Sequence, residues 1–154
     1  MTYSLSLLKI MGTSLATQLL QSDIDPETKL WRGVLCNAIE DAQQRSQERK
    51  ASIFKCDAHS WIMSNVTDFH QVCYYAGFEP EVVKERYKNA IMEGEIGFSP
   101  RNFAWKKYSL QFKKYRNCKD PESKAYHRKH LENLRAAVDR CTTVCISNLV
   151  TSLT

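Results

Sequence analysis

One segment constrains the fold more than any other: residues 68–92, DFHQVCYYAGFEPEVVKERYKNAIM, which predict two short helices around a tight turn. Gly77 lies at the break, with Cys73 four residues before it and Val83 six residues after it. This spacing is typical of a helix-turn-helix, in which the second helix enters a DNA groove. The segment therefore predicts a small helical core built around Gly77.

The rest of the chain also predicts helices. Only 5 glycines and 4 prolines occur in 154 residues, which excludes an all-β sandwich with its many turns. From Pro26 to about Arg49, apolar residues such as Leu30, Val34 and Leu35 recur at steps of three and four, as on one face of a helix. Asp25 provides an N-cap for it. We expect an all-α fold.

Local signals place the remaining helices. We expect an amphipathic helix over residues 3–21 and a helix over residues 103–117. Asp57 and Asp68 are predicted to cap two short helices, and Pro80 to open the helix that ends near Met92. A long last helix is predicted from about Pro121 to Leu149.

A linker divides the chain. Residues 93–102, EGEIGFSPRN, contain two glycines and one proline, which is typical of a connection. We therefore expect a helical domain over residues 1–92, with a trihelical helix-turn-helix-like core around residues 26–92. A basic C-terminal helical hairpin is expected over residues 103–154.

Charge is distributed unevenly between these parts. Residues 1–83 carry 7 basic and 10 acidic side chains, whereas residues 84–135 carry 14 basic and 6 acidic ones. A basic second half is the pattern expected of a protein that binds a polyanion, although a solvated lysine-rich surface explains it equally well.

The segment WKKYSLQFKKYR, residues 105–116, contains two lysine pairs seven residues apart. On a helix these pairs lie on one side, and the aromatic residues on the other. The lysines could hold phosphates by sequence-independent, salt-sensitive contacts. The aromatic residues are expected to pack in the core rather than to stack on unpaired bases.

The second helix of the helix-turn-helix candidate could add contacts, although three glutamates, Glu79, Glu81 and Glu85, near its start would repel phosphates. Basic residues of the segment 124–135 extend the positive surface. The residues predicted to contact nucleic acid are Lys84, Arg86, Lys88, Lys106, Lys107, Lys113, Lys114, Arg116, Lys124 and Arg128.

No pattern predicts a catalytic or metal site. His127 and His130 lie about 20 Å from the Cys141 and Cys145 pair along one straight helix, so the two pairs cannot share an ion within one chain. Surface histidines and packed thiols are favoured instead. No nucleophile with a partnered base and no phosphate-cradling glycine motif occurs, so we predict no enzyme and no cofactor.

Compartment signals are few. No run reaches the roughly 18 apolar residues of a membrane span, and the opening residues lack the basic flank of a signal peptide. The six cysteines include no CxxC, so we expect reduced structural thiols rather than disulfides. We expect a cytoplasmic protein that does not bind a membrane.

Residues 30–91 resemble small proteins of unassigned function encoded by bacteriophages and prophage-like regions. The resemblance is carried by LWRGVLCNAIEDA and by WIMSNVTDFHQVCYYAGFEPEVV, which include Trp31, Trp61, Cys73, Gly77 and Pro80. It implies a phage-like origin, hence the host cytoplasm, and a helix-turn-helix-like core. It implies no activity and does not cover residues 103–154.

The leading hypothesis is a nucleic-acid-binding accessory or regulatory protein, with duplex DNA as the expected ligand. A rival hypothesis is a protein that binds an acidic surface of a host or phage protein and inhibits or remodels its complex. A third is a virion or assembly component that forms a homo-oligomer through the apolar segment 144–153.

Overall fold

The computed structural model of this chain describes residues 5–19 and 21–141. Every regular element among those residues is an α-helix, which confirms the all-α fold class. The prediction that the last helix reaches residue 149 is wrong, because this helix ends at Arg140 and Cys141 has an extended backbone (φ −66°, ψ 130°). The apolar segment 144–153 lies outside the described residues. The helices are α1 (Leu5–Leu19), α2 (Pro26–Gln43), α3 (Arg49–Met63), α4 (Thr67–Ala76), α5 (Pro80–Met92), α6 (Pro100–Asn117) and α7 (Pro121–Arg140).

The second helix ends earlier than the sequence predicts, because a buried lysine closes it. α2 stops at Gln43 rather than near Arg49. The ammonium of Lys55 donates to the carbonyl oxygens of Ala42 (2.8 Å) and Gln44 (2.5 Å). The last carbonyl groups of a helix lack partners within it, so a cation placed there stabilises the end.

The third helix is continuous where the sequence predicts a break. The sequence predicts that Asp57 caps a short helix. This prediction is wrong, because Asp57 lies well inside α3. Its carboxylate accepts instead from the ammonium of Lys106. Asp68 is likewise not a cap but lies in the first turn of α4, after the N-cap Val66. Both carboxylates are thus directed to side chains of other elements.

The turn between α4 and α5 is a Schellman motif. Gly77 adopts the left-handed conformation (φ 82°, ψ 28°). The N–H of Phe78 donates to the carbonyl of Cys73 (2.9 Å), and the N–H of Gly77 to that of Tyr74 (3.0 Å). Pro80 then begins α5, as predicted from the sequence.

The helices pack around one apolar core. α2 packs against α3 and α4, and α5 against α1 and α4, while α6 lies between α3 and α7. Two residues of the predicted linker, Ile96 and Phe98, are fully buried in that core. The division at residues 93–102 stays a prediction. The largest buried apolar side chains of the core are Leu7, Met11, Leu35, Ile39, Ile62, Phe69, Val83, Tyr87, Ile91, Ile96 and Phe98.

Helix α2 buries only part of its predicted apolar face: Leu35 lies in the core as expected, whereas Leu30 and Val34 do not. Leu30 is 63% exposed and Val34 is 37% exposed, whereas Arg32 is buried. The Arg32 Nε donates to the carbonyl of Ala76 at the end of α4 (2.9 Å), and a second guanidinium nitrogen donates to the carbonyl of Gln18 near the end of α1. The Arg32 side chain therefore connects the ends of α1 and α4 to α2.

Helix α6 is anchored at its start by a capping box. Asn102 N donates to Ser99 Oγ (3.2 Å), and Ser99 N donates to Asn102 Oδ1 (3.0 Å). The Asn102 amide then donates to Ser52 Oγ on α3 (2.8 Å) and to the carbonyl of Ser46 (3.3 Å). The sequence does not reveal this anchor, which positions α6 on α3.

A buried histidine links α3 to α5. His59 Nδ1 and the Tyr87 hydroxyl lie at hydrogen-bond distance (2.9 Å), and the His59 ring contacts Phe98 edge-on. Burial, together with the positive charge of Lys55, lowers the pKa of His59 from 6.5 to about 4. His59 is therefore neutral in the folded protein near neutral pH.

Replacement of Gly77 by alanine is expected to lower the free energy of unfolding by about 1 kcal/mol, because alanine is strained in the left-handed region. The matched variant Gly33→Ala should instead raise it by up to about 1 kcal/mol, since Gly33 lies inside α2 and an added Cβ meets nothing within 4 Å. Urea denaturation measures both. Effects of the same sign would contradict this assignment of the turn.

Stability should also fall with acid through His59. Because the unfolded chain binds this proton below pH 6.5 and the folded protein only near pH 4, the free energy of unfolding should fall by about 3 kcal/mol as the pH drops between those values.

The variant His59→Gln removes the titrating group, so its free energy of unfolding should depend less on pH than that of the parent in the same window. Urea denaturation at a series of pH values makes the comparison. Parallel curves for parent and variant would show that His59 does not titrate in this way.

Candidate nucleic-acid interface

All charged side chains of helix α6 are basic. Its 18 residues include six basic side chains and no acidic one. At 1.5 Å per residue it is about 27 Å long, enough to span several phosphates of a nucleic acid strand. The basic residues are Arg101, Lys106, Lys107, Lys113, Lys114 and Arg116.

Most of this charge faces solvent. Lys107, Lys113, Lys114 and Arg116 are all exposed, and Leu110, which is 47% exposed, lies between them. Residues three, four and seven apart share a helix face, so Lys107, Leu110 and Lys114 form one line along α6. The ammonium groups stand free of the core and are able to reach a polyanion.

The opposite side of α6 carries the aromatic row, formed by Trp105, Tyr108, Phe112 and Tyr115. Consecutive ring centres are 5.6, 6.4 and 6.3 Å apart. Trp105 is buried, with 7% exposure, whereas the other three rings are half-buried. The expectation that all these rings pack in the core therefore applies fully only to Trp105.

Cations from two other helices lie over the aromatic row. The Arg49 guanidinium of α3 is 4.9 Å from the ring centre of Tyr108 and 5.6 Å from that of Phe112. The Arg135 guanidinium of α7 is 5.7 Å from that of Trp105. Cation–π attraction of this kind holds the two guanidinium groups over the rings of the row.

Arg128 and Lys124 of α7 converge on Tyr115. Arg128 donates to the Tyr115 hydroxyl (3.2 Å), and the Lys124 ammonium lies 5.3 Å from the ring centre. The hydrogen bond from Arg128 and its charge lower the pKa of Tyr115. This pairing brings two predicted contact residues of α7 next to α6.

Trp105, early in α6, contacts Arg135, late in α7, whereas Tyr115, near the end of α6, contacts Arg128 in the first half of α7. The two helices therefore run antiparallel. Between them lies a groove of about 460 Å³, which we call the α6–α7 groove. Two acidic residues share its wall with the arginines. The groove is lined by Tyr108, Tyr115, Arg128, Leu131, Glu132, Arg135, Ala136 and Asp139.

The expected outward position of Lys84 on α5 is wrong. Its side chain is only 5% exposed. The ammonium donates to Asn65 Oδ1 (2.8 Å) and lies 5.5 Å from the ring centre of Phe69. The aliphatic stem is thus part of the packing between α4 and α5, and the charge is held by the protein itself.

The other two predicted residues of α5 are exposed, but they belong to a different part of the fold. α5 packs against α1 and α4, whereas α6 packs against α3 and α7. The Arg86 guanidinium lies beside Gly12 of α1, 3.1 Å from where a Cβ of that glycine would stand. Lys88 is exposed on the same helix.

Lys106 differs from its neighbour Lys107. The Lys106 ammonium forms an ion pair with Asp57 of α3, and its side chain is 22% exposed. Lys107 is exposed, and no ion pair of the described residues includes it. Two adjacent lysines therefore have different roles, one between helices and one toward solvent.

Sequence reasoning missed Arg49, which lies over three rings of the aromatic row. It is more than fifty residues away from the row in the chain, and no local spacing signals such a contact. Arg135 lies seven residues after Arg128, so the helical period does relate these two arginines to one face of α7.

Other site types receive no support from the described part of the chain. Among residues 5–19 and 21–141, no group of three or more His, Cys, Asp or Glu side chains is arranged to hold a metal ion. In those same ranges no helix has the length and apolar character needed to cross a membrane. Burial raises the pKa of the Cys56 thiol to about 11 and that of Cys73 to about 12, as expected for packed thiols.

Comparison with known proteins yields no match: no protein-family model, no curated protein and no solved structure is detectably similar to this chain.

Proposed function

We propose that this protein is a nucleic-acid-binding accessory or regulatory protein that holds the phosphate backbone with α6 and α7. The observation that carries the proposal is the charge of α6, which has six basic residues and no acidic one, four of the six being exposed. Exposed cations along one helix release counterions from a nucleic acid, which favours binding without reading the sequence.

The proposed contact set combines the exposed predicted residues of both helices. It consists of Lys107, Lys113, Lys114, Arg116, Lys124 and Arg128. Arg128 and Lys124 are already held beside Tyr115, which reduces the conformational entropy lost when they bind phosphates. Lys106 is left out because Asp57 neutralises it.

The α6–α7 groove supports a second mode of contact. Tyr108 and Tyr115 are half-buried, so part of each ring remains open to a ligand beside Arg128 and Arg135. Unpaired bases stack on such rings with little regard for sequence. Glu132 and Asp139 work against phosphates here, so we assign the phosphate contacts chiefly to the outer face of α6.

The helix-turn-helix-like core enters the proposal as a scaffold. Its interpretation as such a motif is supported by left-handed Gly77 and by Pro80 at the start of α5. As a reading head it is disfavoured, because Lys84 is buried while Glu79, Glu81 and Glu85 are exposed. Arg86 and Lys88 could add contacts only to a ligand that also reaches α5. The resemblance to phage-encoded proteins adds a proposed origin and no activity.

A second candidate is a protein that binds an acidic surface of a host or phage protein. The exposed glutamates at the start of α5 favour it, because they would repel a nucleic acid, whereas the cations of α6 suit either ligand. Capture of a defined partner from nuclease-treated lysate, combined with absent binding to nucleic acid, would favour this candidate.

Binding to a fluorescent random-sequence DNA duplex should be measurable at low salt by anisotropy. With one phosphate contact from each of the six residues, the logarithm of the association constant should fall with the logarithm of salt concentration with a slope of about −5. A single strand of the same sequence tests the stacking mode. Absence of binding to both at low salt would contradict the proposal.

The two adjacent lysines provide a matched pair of variants. Lys107→Gln should weaken duplex binding and reduce the magnitude of the salt slope by about 0.9, as expected for one lost phosphate contact. Lys106→Gln should change the slope much less, because its ammonium is bound by Asp57. Equal slopes for the two variants would show that the exposed face of α6 is not the contact surface.

A further inference from the structure

A second groove lies on another side of the protein, between α2, α3 and α4, with a volume of about 490 Å³. Its walls are mainly aromatic and aliphatic, and all its charged residues are acidic. We call it the acidic groove. It is lined by Trp31, Val34, Asn37, Ala38, Asp41, Phe54, Asp57, Ala58, Trp61, Asp68 and Val72.

The apolar part of the acidic groove is unusually open. Phe54 is 48% exposed, Val34 is 37% exposed, and Leu30 on the same helix is 63% exposed. The Trp31 ring lies against that of Tyr75, with ring centres 5.2 Å apart and planes tilted by 33°, and Tyr75 is itself 53% exposed. An exposed apolar patch with polar residues at its edge is typical of an interaction site.

Two of the three carboxylates are held in place around these rings. Asp68 accepts a hydrogen bond from Trp61 Nε1 (2.6 Å), and Asp57 pairs with Lys106. Asp41 is half-buried, and burial raises its pKa. Burial makes the charged form of Asp41 less favourable because the carboxylate loses hydration. A cation in the groove would offset that loss by electrostatic attraction.

The chain's own lysines already bind the edges of the groove. The Lys50 ammonium lies 5.7 Å from the ring centre of Phe54, and the Lys106 ammonium binds Asp57. Both contacts show the chemistry that suits this surface: an ammonium group over a ring or on a carboxylate, with its aliphatic stem along apolar surface.

We infer that the acidic groove docks a segment of a partner protein in which lysine or arginine side chains alternate with leucine-sized apolar ones. The apolar side chains would pack on Phe54, Val34 and Trp31, and the cationic groups would reach Asp41 and Asp68. Nucleic acid does not fit, because its phosphates would face the carboxylates of Asp41 and Asp68, which no ion pair of the described residues neutralises. The site shares no lining residue with the α6–α7 groove, so the inference does not depend on the proposed function.

A synthetic amphipathic peptide of leucine and lysine is the probe, and a peptide with glutamate in place of every lysine is its control. Binding to the full chain is followed by NMR at the indole N–H signals of Trp31, Trp61 and Trp105. We expect saturable shifts at Trp31 and Trp61, little change at Trp105, and no saturation with the glutamate peptide.

Two exposed valines provide matched variants. Val34→Lys places a cation in the acidic groove and should weaken binding of the lysine peptide at least about tenfold, a cost of roughly 1.4 kcal/mol. Val82→Lys adds the same charge on α5, where valine is 42% exposed, and should change binding less than about twofold.

A third variant, Asp41→Asn, keeps the shape of the side chain and should weaken binding because one carboxylate is lost.

Four outcomes would overturn the inference. They are equal binding of the two peptides, equal binding by Val34→Lys and the parent, shifts of Trp31 and Trp61 caused by raising the protein concentration alone, and saturable shifts of these two indoles when a DNA strand is added to the protein without peptide. The third outcome would assign the groove to a second copy of the chain, and the fourth to nucleic acid.

Discussion

The fold depends on two buried cations that bind the carbonyl ends of helices. Arg32 joins the ends of α1 and α4 to α2, and Lys55 closes the end of α2 from within α3. Helix ends carry unpaired carbonyl oxygens and a partial negative charge, so a guanidinium or ammonium group there satisfies both at once. The helices are thereby held in one arrangement, in which α3 packs between α2 and α6.

That position of α3 separates two surfaces of opposite character. Its first residue, Arg49, lies over the aromatic row of α6, while Phe54, Asp57 and Trp61 line the acidic groove on the other side. The ion pair of Asp57 with Lys106 connects the two surfaces. A protein built in this way could hold a polyanion on α6 and α7 and a basic protein segment on α2 to α4. The two proposals are therefore compatible within one molecule, although each is tested separately.

The lysine face of α6 could be predicted from the sequence, because the period of a helix places Lys107 and Lys114 on one side whatever the helix packs against. The sequence could not predict which of the lysines are exposed to a ligand. Lys84 and Lys106 have the same local pattern as exposed lysines, yet Asn65 holds one and Asp57 the other, across 19 and 49 residues of sequence. Long-range partners of this kind leave no periodic signal.

Composition, periodicity and capping residues by themselves determined the helical class, the left-handed turn at Gly77 and the basic character of α6, since each depends on residues within one or two helical turns. Only the tertiary structure decided which residues of α2 are buried. Arg32 lies in the core while Leu30 and Val34 face solvent, because the carbonyl ends of α1 and α4 meet at Arg32. Because Arg32 is buried in this way, Val34 is left exposed and lines the acidic groove. The contacts of Arg32 are long-range, so no pattern in the sequence indicates the groove.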